Sequence, residues 1–188
     1  MTSARPLRAD ARRNRDAILR AARDRFQTDG ILTPIDGIAV AAGVGSATLY
    51  RNFPTRDDLL AAVIEDSVRD LLDLSVGLER DLTPDDALRE WLYELAWQLR
   101  IWHDLPTCIA DAIEDPASPV QTVNERLAQR TGDFLANADR SETASGMCTA
   151  NELFELVLAL SWAIDRFGDD ERSARRRVAL GTAGVFGR

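Results

Sequence analysis

Lysine is missing altogether: each of the 23 basic residues is an arginine. Histidine occurs once, at His103, and cysteine twice, at Cys108 and Cys148. These scarcities narrow the chemistry. A nucleophile–histidine–acid machine would have to be built around His103 alone, and a zinc site of three or four ligands would need it beside both cysteines. His103 and Cys108 are close in sequence, but Cys148 lies far downstream, with no C-x-x-C or H-x-x-x-H spacing. Glycine-rich phosphate loops and the G-x-S-x-G elbow are absent. No catalytic residue, metal or cofactor is therefore expected, and the chain does not read as an enzyme. Two cysteines make no disulfide framework, which fits a reducing cytoplasm.

Long apolar runs are missing too. The longest, Leu153 to Ile164, is interrupted by Glu155 and too short to cross a bilayer, so no membrane partner is expected. The basic N-terminus has no apolar stretch after its arginines and is not expected to act as a secretory signal. Only 7 prolines and 11 glycines among 188 residues, with 29% charged, argue against a disordered or fibrous chain. The length suits one domain, or one with a small satellite.

What is there is unevenly charged. Through residue 60 there are ten arginines against seven acids, or +3; the remainder holds thirteen against twenty-four, or −11, giving the net −8. A basic head on an acidic body suits a head that meets a polyanion, although a basic arm could equally serve only to solubilise the terminus.

Strand signals are almost absent and helical periodicity is everywhere, so the fold expected is all-α. Ile18, Ala22 and Phe26 mark one face of a helix over about 10–28, ended by Asp29-Gly30. Thr33-Pro34 reads as an N-cap with proline at the first helical position, opening a short helix that stops at Gly43. A second short helix runs through Ser46 to Asn52. Thr55 caps a long amphipathic helix bearing Leu59, Leu60, Val63, Ile64, Val68, Leu71 and Leu72. Ala39, Gly43 and Leu49 have the offsets of a helix-turn-helix: a small residue for close approach, a glycine to turn the chain, a leucine to fill the gap. A plain helical corner would share those offsets. The exposed set Ser46, Thr48, Tyr50, Arg51 and Asn52, short and polar, favours phosphates and base edges over simple solubilisation.

The segments Thr33-Pro34-Ile35-Asp36-Gly37-Ile38-Ala39 and Ala42-Gly43-Val44-Gly45-Ser46-Ala47-Thr48-Leu49-Tyr50-Arg51-Asn52-Phe53-Pro54-Thr55-Arg56-Asp57-Asp58-Leu59 resemble the TetR family of bacterial repressors over about residues 11–71. The resemblance implies a three-helix DNA-binding head (motif about 34–53), an all-helical effector-binding and dimerisation body over 72–188, and a homodimer that leaves a double-stranded operator when a small molecule binds. It further implies phosphate contacts from Thr33 and Tyr50, a groove-facing set of Gly45, Ser46, Ala47, Thr48 and Asn52 beside Arg51, and Arg56 as the cation opening the fourth helix. Gly45 stands where the family commonly has a serine cap, and Ser46-Ala47 where a Lys-Gly pair is common.

In the body, Pro84 to about Asp104 carries Leu88, Trp91, Leu92, Leu95, Leu99 and Trp102 on one face with Tyr93 and Trp97 on another, so this helix is expected to be central. Val120 to Ala138 reads as a more polar helix, and 139–149 as a loop. The last two helices, Ala150 to Phe167 and Asp169 to about Phe186, carry more apolar surface than one small core needs. Leu153, Leu156, Leu160, Ile164, Val178 and Ala179 are the expected dimer contacts, unless the first of these helices is simply buried core. Trp91, Leu95, Trp102, Phe134, Phe154 and Trp162 could line a pocket for an apolar or aromatic effector, with His103 and Cys108 as polar handles, or could be packed core. The competing functions are a ligand-responsive dimeric repressor, a helix-turn-helix protein with no effector, and a small helical-bundle enzyme.

Overall fold

Ile18, Ala22 and Phe26 are fully buried along one side of α1 (Ala4–Asp29), which begins some six residues earlier than the apolar periodicity predicts. The computed structural model describes residues 4–100, 117–140 and 148–186, so Trp102, His103 and Cys108 lie outside the described residues. Among the described residues there are eight α-helices, one 3-10 turn and no strand. After α1 come α2 (Ile35–Ala41), α3 (Ser46–Asn52), α4 (Arg56–Asp81), α5 (Pro84–Leu99), α6 (Pro119–Arg140), α7 (Ala150–Phe167) and α8 (Glu171–Gly181), with the 3-10 turn at Ala183–Val185.

Three helix starts carry side-chain caps, of which the one at Thr55 is expected from the sequence. Thr55 and Asp58 form a reciprocal capping box at α4, as do Thr149 and Glu152 at α7, and Thr83 caps α5 with Pro84 in its first turn. The start of α2 differs. Its cap is Pro34 rather than Thr33, and it makes no side-chain cap bond, because proline carries no side-chain acceptor; the Thr33 N–H donates to the Gly30 carbonyl at 3.1 Å in the preceding turn.

The 26 residues of α4 span about 39 Å at 1.5 Å per residue. Its first half packs on α1, and it also lies against α5 and α6. α5 touches α4, α6, α7 and α8 and is buried around most of its circumference, which makes it the central helix that its apolar faces predict. Trp91 is fully buried there, its ring stacked on Phe134 at 5.4 Å and its indole N–H donating to the Thr131 hydroxyl at 2.9 Å. α6 runs alongside α4 in the same direction, joined by a ladder of polar contacts. Ser118 donates to Asp57 at 2.8 Å, Arg126 to both Glu65 oxygens at 2.8 Å, Arg130 to the Ser75 hydroxyl at 2.8 Å and to Glu79 at 2.9 Å, and Asn137 to Glu79 at 2.7 Å.

The arginines of α8 do not all face outward. Arg175 makes a two-pronged contact with Glu90 at 2.7 and 2.8 Å and lies over the Tyr93 ring, and Arg177 pairs with Asp169, because each finds a carboxylate or a ring on the inner side. Arg172 and Arg176 stay in solvent. Beside this cluster, burial pushes the Glu94 carboxyl above its ordinary value and the nearby Glu90 adds to the rise; Arg175, 4.0 Å away, offsets only part. An acid whose folded value is raised stabilises the fold at low pH and loses that contribution as pH rises through it. Glu94→Gln should therefore melt above the parent at neutral pH, with the two curves converging below about pH 4, where the carboxyl is protonated in both states. Thermal melts across pH check this.

Candidate nucleic-acid interface

α2 ends in a glycine turn that fixes where α3 points. Gly43 adopts φ +68°, its N–H bonds the Val40 carbonyl at 3.0 Å, and the Val44 N–H bonds that of Ala39 at 3.0 Å, the paired bonds of a Schellman stop. Ala39 and Leu49 are buried between the two helices, as their offsets require, with Ile38 and Phe53 beside them. A Cβ on Gly43 would meet nothing within 4 Å, so Gly43→Ala should cost only the left-handed backbone penalty, about 1–2 kcal/mol. A urea titration showing no loss would mean that the turn relaxes to another conformation.

The site is braced on both sides. Arg15 of α1 lies over the Phe53 ring at 4.5 Å, just past α3. Arg56, at the start of α4, is half-buried and donates to the Ile31 carbonyl at 2.5 Å, which ties the loop before α2 to the long helix. Arg56 therefore braces the loop with one N–H and keeps the rest of its guanidinium fork available.

On α3, 100° per residue turns sequence into direction. Leu49 points inward. Ala47 and Arg51, two residues either side of it, sit about 160° away and face outward; Thr48 and Tyr50 flank them at about 100°; Ser46 and Asn52 lie only about 60° from the buried direction. Ser46, at the open start of the helix, is nonetheless exposed, and Thr48 is half-buried. The Asn52 amide donates back to the Thr48 carbonyl at 2.8 Å, and the Ser46 hydroxyl to Asp36 at 3.1 Å. Arg51 is exposed and makes one bond, to the Thr48 hydroxyl at 3.2 Å, leaving most of its fork free. Tyr50 is 46% exposed. Gly45 caps α3 without a side chain, and Thr33 is half-buried at the foot of α2. Among the described residues, no carboxylate pairs with Arg12, Arg20 or Arg51, so the head keeps unneutralised positive charge.

Those body residues expected to line an effector pocket that are among the described residues are not gathered at one place. Trp91, Leu95 and Phe134 are packed core, while Trp162 is exposed on α7. Phe154 faces a cleft of about 460 Å³ between α6 and α7 whose other walls include Gln121, Asn124, Glu125, Gln129 and Glu155. Sequence reasoning passed over those polar residues. The signal was there: Val120, Asn124, Leu127, Thr131, Phe134 and Ala138 recur at four- and three-residue steps, and all are buried, so two polar residues stand on a core stripe. Of the expected dimer contacts, Leu153, Ile164 and Val178 are buried within the subunit, whereas Leu156, Leu160 and Ala179 are exposed or half-exposed.

A helix-turn-helix head joined by one long helix to an all-helical body defines a class of DNA-binding regulators. Residues 18–63 match the family described as bacterial regulatory proteins, tetR family, and residues 83–186 match the C-terminal domain of SbtR-like transcriptional regulators. The chain belongs to the TetR family and is a DNA-binding transcriptional regulator. Among solved structures, the TetR transcriptional regulator SCO0520 from Streptomyces coelicolor is 27% identical, with 92% of this chain and 98% of that one covered and a TM-score of 0.59. A tetR-family regulatory protein from Rhodococcus RHA1 is 15% identical, covering 93% and 98%, with a TM-score of 0.66. HlyIIR, a hemolysin II transcriptional regulator, is 15% identical over 95% and 99%, with a TM-score of 0.64. The last two speak for the fold alone. No curated protein matches the sequence.

Proposed function

We propose that the protein is a homodimeric repressor that holds a pseudo-palindromic operator and releases it when a small molecule enters the body. It works as a binding protein rather than an enzyme, in the cytoplasm where bacterial DNA lies. The observation that carries this reading is the continuous path from body to head. α6 forms one wall of the cleft and is laced along its other side to α4, and α4 anchors the reading unit through Arg56. A ligand that shifts α6 has a stiff route to the head, and it acts by its differential affinity for two positions of these helices.

The dimer reading rests on α7 and α8. Leu156, Ala159, Leu160, Ala163 and Phe167 form one stripe of α7, with Phe167 66% exposed, and Leu180 on α8 is 78% exposed. A Cβ on Gly181 would come within 2.9 Å of the Leu160 side chain, so the two helices approach closely there and present joined apolar faces. Two such faces meeting about a two-fold axis make a four-helix bundle and set the heads as a symmetric pair. Fluorescence anisotropy on a labelled operator tests the release: added effector should weaken operator binding about 5- to 150-fold, the range of typical coupling energies. An operator affinity indifferent to any bound body ligand would overturn the effector half of the proposal.

A further inference from the structure

Asn124 is 2% exposed, and neither its amide nitrogen nor its carbonyl oxygen has a hydrogen-bond partner. The Gln121 carbonyl oxygen, one turn earlier on α6, is likewise buried and unpaired. Burying such groups without partners costs stability, and most buried side chains avoid it. Thr131, the other polar residue on the same buried stripe, shows the ordinary solution, since it accepts from Trp91 and donates to the Leu127 carbonyl. Asn124 has no such explanation within the fold. It opens instead onto the cleft between α6 and α7, which Phe154 supplies with an aromatic wall and Glu125 and Glu155 line with carboxylates. Gly132 and Ala150 hold the helices close at one end, where a Cβ on Gly132 would lie 3.1 Å from that of Ala150.

We infer that this cleft is a small-molecule site and that Asn124 reads its ligand. A carboxamide presents a donor and an acceptor side by side, so its complement is a planar group with an acceptor and a donor on one edge: a lactam, a primary carboxamide or the amide edge of a heterocycle. Phe154 accommodates the flat face of such a group. Among the described lining residues there is no cation and there are two carboxylates, which selects neutral or cationic ligands and disfavours anions. The inference rests on the effector-binding reading above and gives it a place and a chemistry distinct from the aromatic core around Trp91.

The test uses the full-length protein and defined probes. δ-Valerolactam and nicotinamide carry the edge, N-methyl-valerolactam lacks the donor, and benzoate has the wrong charge. Binding is followed by saturation-transfer NMR and by titration of backbone amide shifts, with DNA absent. The lactam and nicotinamide should bind at millimolar concentration; N-methylation should weaken binding about tenfold or more, the worth of one unmade hydrogen bond. Benzoate should bind no better than the methylated lactam. Asn124→Leu and the cleft-filling Ala128→Phe should each lose the binding, and Asn124→Leu should melt no lower than the parent because it replaces an unpaired amide with an apolar group. No binding to the parent up to the solubility of the probes, or equal binding to both variants, overturns the site. Operator release is measured separately with the same probes: binding without release leaves the site standing and overturns only the effector reading.

Discussion

Leu156→Arg should convert the dimer to a monomer that keeps its helical content and loses operator binding. Leu156 is 37% exposed and opens the α7 stripe, with buried neighbours Leu153 and Val157 already satisfied within the subunit. A guanidinium there costs the folded subunit little, since it can reach water, but in a bundle of two subunits it is buried against its own symmetry copy, two like charges without a partner. Joining two heads raises operator affinity about 10²- to 10⁴-fold over one head through effective concentration, so the monomer should bind the operator weaker by that factor. Sedimentation velocity and circular dichroism read the two halves of the result. An unchanged dimer would place the interface elsewhere, and loss of helix would show that Leu156 belongs to the subunit core.

Arg51→Ala should abolish operator preference more than it weakens binding to random DNA. Arg51 faces directly away from the buried Leu49 and has free N–H groups, the requirement for a two-pronged contact to a guanine edge. Such a contact is worth about 1–3 kcal/mol per half-site, so removing both copies should cost the operator on the order of 30-fold to 10⁴-fold. Tyr50→Phe should instead weaken operator and random DNA by similar factors, because a phosphate contact carries no direct base information. Titrations against the operator, its single-base variants and scrambled DNA at several salt concentrations separate the two. If Arg51→Ala lowers all affinities equally while Tyr50→Phe changes base preference, the helix sits in the groove the other way round.

The head was largely legible because its signals are local. A glycine needing positive φ at Gly43, a small residue at Ala39, a plug at Leu49 and a capping box at Thr55 each fix a backbone event within a few residues, and the structure places all four as read. Direction was less legible. Sequence groups Ser46 and Asn52 alike with the reading set, but Ser46 is exposed with a bond to Asp36, whereas Asn52 is half-buried with its amide bonded to the Thr48 carbonyl. The bond from Arg56 to the Ile31 carbonyl, 25 residues earlier, has no signal in the local sequence either. In the body, aromatic side chains at helical spacing say that a surface is buried without saying what buries it. Trp91 and Phe134 bury each other, and the opening falls where polar residues interrupt the stripe. That arrangement depends on contacts between helices distant in sequence, such as α5 with α6, which no local pattern encodes.

The central claim, a symmetric pair of reading heads on one dimer, is tested most directly by selecting bound sequences from random double-stranded DNA with the full-length protein. The account predicts enrichment of an inverted repeat whose half-sites lie about one helical turn, or a multiple of it, apart, with the guanine read by Arg51 at matching positions in both halves. Enrichment of a single unrepeated sequence, or of none, would contradict it.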